Sequence, residues 1–245
     1  MYKRQDIDPA EIGKNIGADL PLVGDAKLVL QQMTELAKPM KHDEWIAHIK
    51  TLGGERKYVE PATGTVNPRV FIDRLAKKMP ANVTVVADVG QNQIWTCTEY
   101  KFRKEGRLLT SGGMGTMGYS VPAAIGAKMA DNSRATVAIC GDGAFQMSFM
   151  ELATAVQFGV DIKVVVMTNN RLGMVRELQT NGYHDRQTAV FLDGSPDFIK
   201  LAEAYSIPAM RVYDDDTMEK GIEMLAEHKG ICLVEVVVDK DMPTL

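Results

Sequence analysis

The chain has 245 residues, 45% of them hydrophobic, with a formal net charge of −4 and an isoelectric point near 5.6. That length buries a substantial core, while mild acidity and dispersed basic residues with no long Lys/Arg run argue against a phosphate-backbone footprint, so no nucleic-acid partner is expected. No apolar run reaches the roughly 18 residues of a membrane-spanning helix, and Met1-Tyr2-Lys3-Arg4-Gln5 lacks a signal-peptide core, so no membrane is expected and the expected location is cytoplasmic.

In chain order, Asp6-Ile7-Asp8-Pro9 reads as a short strand-like start, followed by amphipathic helices around Ala26 to Leu36 and Asp43 to Leu52. The polar, Gly- and Pro-containing stretch from Gly53 to about residue 65 reads as a linker. A second domain is expected over residues 66–245. Its pattern alternates a helix near Pro68 to Lys78, strand Thr84 to Asp88, helix Pro122 to Ala130 and strand Ala135 to Cys140. Helix Phe149 to Phe158, strand Ile162 to Met167, helix Asp197 to Tyr205 and strand Ile231 to Val238 complete it. Such alternation predicts the α/β class, a doubly wound parallel sheet with helices on both faces. Leu108-Leu109-Thr110 reads as a poor strand. Cys97, Cys140 and Cys232 are widely spaced and read as buried thiols, and the scattered His42, His48, His184 and His228 do not read as metal ligands.

The most informative stretch is Gly141-Asp142-Gly143, at the end of the apolar run Ala135 to Cys140. A buried parallel strand there presents Asp142 at its carboxyl end, where open α/β sheets bind ligands. One β-α-β crossover later, the apolar run Ile162 to Met167 ends near Asn169-Asn170, which brings Asp142 and Asn169 to one edge of the sheet. A lone Asp and a distant Asn suit magnesium, which takes one or two carboxylates and completes its oxygen shell with substrate phosphates and water. The competing reading is a pair of ordinary turns. A different ligand class is suggested by Gly113-x-Gly115-x-x-Gly118, which satisfies the dinucleotide fingerprint of a nicotinamide dehydrogenase, although that fingerprint needs a full strand immediately before it.

The Gly-Asp-Gly, helix, Asn pattern resembles the thiamine-diphosphate motif. Ser111 to Tyr119 with Val121 to Ala127, Asp88-Val89-Gly90-Gln91, Phe145-Gln146-Met147 and Leu172-Gly173-Met174-Val175-Arg176 resemble the catalytic large chain of acetolactate synthase, as does nearly the whole chain from Asp6. The resemblance implies that residues 1–52 are the tail of the family's central domain, 53–65 a linker and 66–245 the diphosphate- and magnesium-binding domain. It implies metal ligation by Asp142, by Asn169 and by the carbonyl of Arg171, with Thr168 standing where the family has the first Asn of its pair. Gly143 and Ala144 would offer N–H groups to phosphate at a helix start. Gln91 and Asn92 resemble a diphosphate-contacting Gln-His pair, with Asn unable to supply a charge. Met117 resembles the apolar wedge beneath the bent cofactor and Gly115 the residue whose backbone carbonyl accepts from its aminopyrimidine, while Val89, Gly90, Leu172, Gly173 and Met174 fall in the matching cofactor-binding segments.

The same resemblance implies no catalytic residue in this chain, because the activating glutamate belongs to an amino-terminal domain with no counterpart here. Implied too are pyruvate and a second 2-keto acid as substrates, that amino-terminal domain as a partner, a homodimer or tetramer, a regulatory subunit, and FAD in the full-length enzyme. Another thiamine-diphosphate carboligase or decarboxylase, or a non-catalytic subunit that keeps the fold for oligomerisation, shares the metal motif. Leu178 stands where the family commonly has a Trp lining the substrate channel; core packing is its alternative role. Fragment, expressed piece or half of a split enzyme are the open readings of such an organisation.

Overall fold

The computed structural model describes residues 3–52 and 58–245, and the chain divides into two compact units, Met1–Arg56 and Lys57–Leu245. The part of the expected linker over residues 53–57 lies outside the described residues.

In the first unit, β1 (Lys3–Asp6) pairs in parallel with β2 (Leu20–Val23), with Lys3 opposite Leu20 and Asp6 opposite Val23. The strand-like start is therefore shifted upstream, because Pro9 begins a 3-10 turn that Asp8 caps by accepting from Ala10 N at 2.9 Å. Helix α1 (Ala26–Leu36) has Asp25 as its cap, accepting from Lys27 N at 2.9 Å, and α2 (Asp43–Leu52) follows with the bounds expected from sequence. None of the described residues in this unit is buried.

The second unit is a six-stranded, fully parallel sheet. Its strands are β3 (Thr84–Ala87), β4 (Arg107–Thr110), β5 (Thr136–Gly141), β6 (Lys163–Thr168), β7 (Ala209–Val212) and β8 (Cys232–Val237), in the spatial order β4-β3-β5-β6-β8-β7. The expected α/β doubly wound sheet is borne out. Alternate residues of each strand feed two cores, as the period-2 side-chain geometry requires. On one face Val85, Val137, Ile139, Val165 and Val234 pack with α3 (Pro68–Lys78), α4 (Gln91–Glu99) and α10 (Asp215–Glu227) through Phe71, Trp95 and Ile222. On the other, Val86, Ala138, Val164 and Val166 pack with α5 (Ser120–Ala130), α7 (Leu152–Gln157) and α9 (Phe198–Ala204) through Val121, Leu152 and Phe198, joined by Phe145 from the short turn of helix after β5. Phe145 and Phe198 meet edge to face at 5.4 Å.

Several elements depart from the sequence reading. Leu108-Leu109-Thr110 belongs to a true strand, β4, at the sheet edge, where partial exposure removes the need for a continuous apolar run. Strand β7, at the other edge, and helices α4 and α10 were outside the reading. Helix α10 nevertheless carries Met218, Ile222 and Leu225 at helical spacing behind a capping box formed by Asp214 and Thr217. The helix expected over Phe149 to Phe158 is split into a 3-10 turn, Phe149–Glu151, and α7. Cys140 and Cys232 are buried, but Cys97 is exposed, since α4 is amphipathic and that position faces outward.

Candidate functional site

The connection from β3 runs to β4 on one side, whereas the chain leaves β5 for β6 on the other, so the carboxyl ends of β3 and β5 form a topological switch point. Chain connections diverge there and leave a crevice, the expected ligand position in an open parallel sheet.

Beyond β3 the chain turns through Gly90 into α4. Gly90 has φ +148°, and a Cβ there would lie 2.5 Å from Asn92 Oδ1, so this tight entry requires glycine. Asn92 is buried and its amide donates to the carbonyls of Asp88 at 2.8 Å and Ile139 at 3.1 Å, tying the ends of β3 and β5 together. Gln91, also buried, donates through Nε2 to Met242 O at 2.9 Å and Thr244 Oγ at 3.1 Å, and accepts through Oε1 from Asn169 Nδ2 at 3.2 Å. The carboxyl-terminal residues 242–244 are thus part of this site, joined also by Trp95 Nε1 donating to Pro243 O at 3.1 Å. No local motif in the sequence announces that contact.

Beyond β5, Asp142 is 1% exposed. Its Oδ1 accepts from Gly143 N at 2.8 Å, and its Oδ2 accepts from Asn169 N at 3.2 Å and Asn170 N at 2.7 Å. Burial pushes its carboxyl up to about 6, against the opposing pull of the N–H groups of Asn170, Gly143 and Asn169. The structure therefore brings Asp142 and Asn169 together across the β5–β6 pair. Asn170 adopts φ +54°, turning the chain so that two successive N–H groups face one carboxylate oxygen. Asn169 Oδ1 accepts from Arg171 N at 3.0 Å, and the Arg171 guanidinium is drawn away, to Asp193 at 2.7 Å and over the Phe191 ring at 4.7 Å. The Arg171 cation is thus engaged away from the Asp142 carboxylate.

The carboxylate of Asp142 and the side-chain oxygen of Asn169 are hard oxygen atoms of the kind that could hold magnesium. Among the described residues, no group of three or more His, Cys, Asp or Glu could hold a metal ion. A cradle lies beside it. At Gly143 a Cβ would sit 2.7 Å from Leu172 Cδ2, 3.1 Å from Leu192 Cδ1 and 3.5 Å from Met117 Cε, and at Gly173 one would sit 1.9 Å from Gln91 Oε1. Glycine at both positions keeps the floor at backbone height.

The crevice is lined by Val89, Gly90, Gln91 and Asn92 after β3, by Gly143 and Ala144 after Asp142, and by Met117, Asn169, Arg171, Leu172, Gly173 and Met174. Trp95, Met167, Val175 and Val238 also line it and were missed, because their spacing is that of core residues. Gly115 and Leu178 lie outside. At Gly115, φ +68° calls for glycine at a turn, and no protein atom lies within 4 Å of where a Cβ would go. Leu178 stands on α8 (Gly173–Gly182) at 61% exposure, which excludes packing in the core of this unit. Helix α6 (Asp142–Phe145), at whose start Gly143 and Ala144 fall, has only four residues, so those N–H groups act as local donors with little macrodipole behind them. Strand β4 does precede the fingerprint glycines, but α5 begins only at Ser120, so all three glycines lie in the turn before the helix rather than opening its first turn.

Residues 88–236 match the family described as thiamine pyrophosphate enzyme, C-terminal TPP binding domain. The chain is also 35% identical over 237 residues to the acetolactate synthase large subunit of Lactococcus lactis subsp. lactis, covering 96% of this chain and 41% of that protein. It is 37% identical over 245 residues to the probable acetolactate synthase large subunit of Methanocaldococcus jannaschii, covering 96% and 41%. For the isozyme 3 large subunit of Escherichia coli K12 the figures are 35% over 246 residues, 96% and 43%. The chain thus spans about two fifths of the length of these relatives. No helix among the described residues is long and apolar enough to cross a membrane. With the cofactor family matched from Asp88 through β8, over the strands whose ends build the crevice, the chain belongs to the thiamine pyrophosphate enzymes as their carboxyl-terminal cofactor-binding domain.

Proposed function

We propose that this chain is the diphosphate- and magnesium-binding part of an acetolactate synthase. The observation that carries the reading is the buried Asp142 carboxylate, joined to Asn169 and Asn170 across neighbouring strand ends inside a glycine-floored crevice. Asp142, Asn169 Oδ1 and the Arg171 carbonyl would hold Mg2+, the N–H of Ala144 and that of Gly143, once released from Asp142 Oδ1, would meet diphosphate oxygens, and Met117 with Leu172 and Met174 would form the apolar support. Gln91 would position Asn169 through their 3.2 Å contact, and Asn92 would hold the two strand ends at a fixed separation. When bound, thiamine diphosphate supplies the nucleophilic carbon for decarboxylating pyruvate and passing the remaining two-carbon unit to a second 2-keto acid. The protein orients that group, clamps its charge and keeps water out.

In this reading residues 1–52 are the tail of a central domain, 53–65 a linker and 66–245 the cofactor domain. An amino-terminal domain supplies the activating glutamate, the assembly is a homodimer or tetramer with a regulatory subunit in the cytoplasm, and FAD binds the full-length enzyme. Leu178, on the exposed side of α8, faces the substrate channel in the assembled enzyme.

Calorimetric titration of the chain with thiamine diphosphate, with and without Mg2+, tests the reading. Binding is expected only with the cation, and Asp142→Ala should abolish it; affinity that ignores the metal, or tight NAD binding, would favour the dinucleotide alternative. These 245 residues purified alone should form no acetolactate from pyruvate until mixed with a partner bearing the amino-terminal domain.

A further inference from the structure

Asp88 is buried completely, yet it neither lines the crevice nor pairs with a cation in any ion pair among the described residues. It ends β3 at the switch point, where its backbone N–H continues the ladder to Ile139 O at 2.8 Å. Its carboxylate is filled by backbone donors: Oδ1 accepts from Val89 N at 2.9 Å and Gly118 N at 3.0 Å, and Oδ2 accepts from Ser120 N at 2.8 Å. Two of those donors lie some thirty residues away, on the turn that leads into α5. No side chain caps α5 from the residue before it, and one orphan donor of its first turn, the N–H of Ser120, is met from the end of β3. The turn admits little else, since Gly118 has φ +84° and a Cβ there would lie 3.0 Å from Met147 Cβ.

Met117 directly precedes Gly118, the first pinned residue, and reaches the space above Gly143. We propose that Asp88 is a positioning residue: its buried carboxylate pins the Gly118–Ser120 turn to the end of β3 and so sets the height of Met117 over the cofactor crevice. This rests on the reading of the crevice as a thiamine diphosphate site, and it assigns to Asp88 a part in that site without contact to cofactor or metal. A buried carboxylate held by three N–H groups makes an unusually stiff joint, because losing one acceptor leaves a backbone donor dry. The turn can then hold Met117 in place without any ligand.

The test compares two ligands on the chain itself. Asp88→Asn replaces one acceptor oxygen by a donor that faces backbone N–H groups. It should weaken Mg2+-dependent binding of thiamine diphosphate about tenfold, the scale of one hydrogen bond to a charged group, while binding of Mg2+ with inorganic pyrophosphate, which lacks the rings that Met117 would support, stays within about twofold. Equal loss for both ligands, or loss for neither, overturns the proposal. Gly118→Ala, which disturbs the turn and leaves the carboxylate, should produce the same split even if Asp88→Asn does not fold, and unchanged thiamine diphosphate affinity in it also overturns the proposal. A cofactor-free readout separates this from the site reading: the Met117 methyl resonance should shift and broaden in Asp88→Asn. If the parent chain binds neither ligand, the site reading fails, and an unmoved Met117 methyl then rejects the role of Asp88 independently.

Discussion

The two units obey the same local rules and reach opposite degrees of closure. In residues 3–52, Asp8 and Asp25 cap their turns and helices as cleanly as Asn67, Asp197 and Asp214 do in the second unit, yet no described side chain there is buried. Leu28, Leu30, Trp45 and Leu36 stand 57%, 61%, 63% and 83% exposed. In the second unit Phe71, Leu75, Phe145 and Phe198 are fully enclosed. Capping and periodicity are sufficient to specify helices; a two-stranded sheet with two amphipathic helices cannot enclose its apolar stripes, whereas six parallel strands offer two faces that helices cover.

This contrast can be broken by substitution. Phe71→Ala should cost about 3–5 kcal/mol in denaturant unfolding of the second unit, because the cavity beneath α3 cannot collapse. Gly173→Ala should cost about 1–3 kcal/mol, since its Cβ would drive into Gln91 Oε1 at 1.9 Å; this change also displaces Asn169, so it should weaken Mg2+-dependent thiamine diphosphate binding in calorimetry. Leu178→Trp, made in the reconstituted enzyme, should strengthen binding of aromatic sulfonylurea-type inhibitors by about 0.5–1.5 kcal/mol through its flat ring and raise preference for 2-ketobutyrate as acceptor. If neither changes, α8 does not face the channel. Leu30→Ser in α1 should change the unfolding midpoint of the chain by less than about 0.5 kcal/mol equivalent. A cost there approaching that at Phe71 would show that the first unit closes its apolar stripe in solution, and would remove the distinction between the units.

The parts of the fold legible in the sequence were those where one physical signal dominated. Strands β5, β6 and β8 are covered on both faces, so they read as continuous apolar runs; α1, α2 and α3 show apolar periodicity, and their expected bounds match the observed ones. The edge strands β4 and β7 escaped because partial exposure relaxes that pattern, and α4 because Gln91-Asn92-Gln93 at its start is polar for reasons of the crevice rather than of solvent. At the site, the juxtaposition of Asp142 with Asn169 followed from strand pairing and crossover length. The uses of Gln91 and Asn92 did not follow. Their amides are occupied by Met242, Thr244, Asp88 and Ile139, contacts that span up to most of the second unit.

By itself, then, the sequence determined the sheet class, the crossover that brings Asp142 beside Asn169, and the glycine turns, since each depends on local periodicity, sterics or the handedness of a β-α-β unit. Only the tertiary structure decided the strand order that opens the crevice between β3 and β5, the burial that lifts the Asp142 carboxyl to about 6, and the reach of Asp88 to Gly118 and Ser120. Those features arise between segments distant along the chain, and a desolvated carboxylate takes its energy and its donors from whatever the fold packs around it.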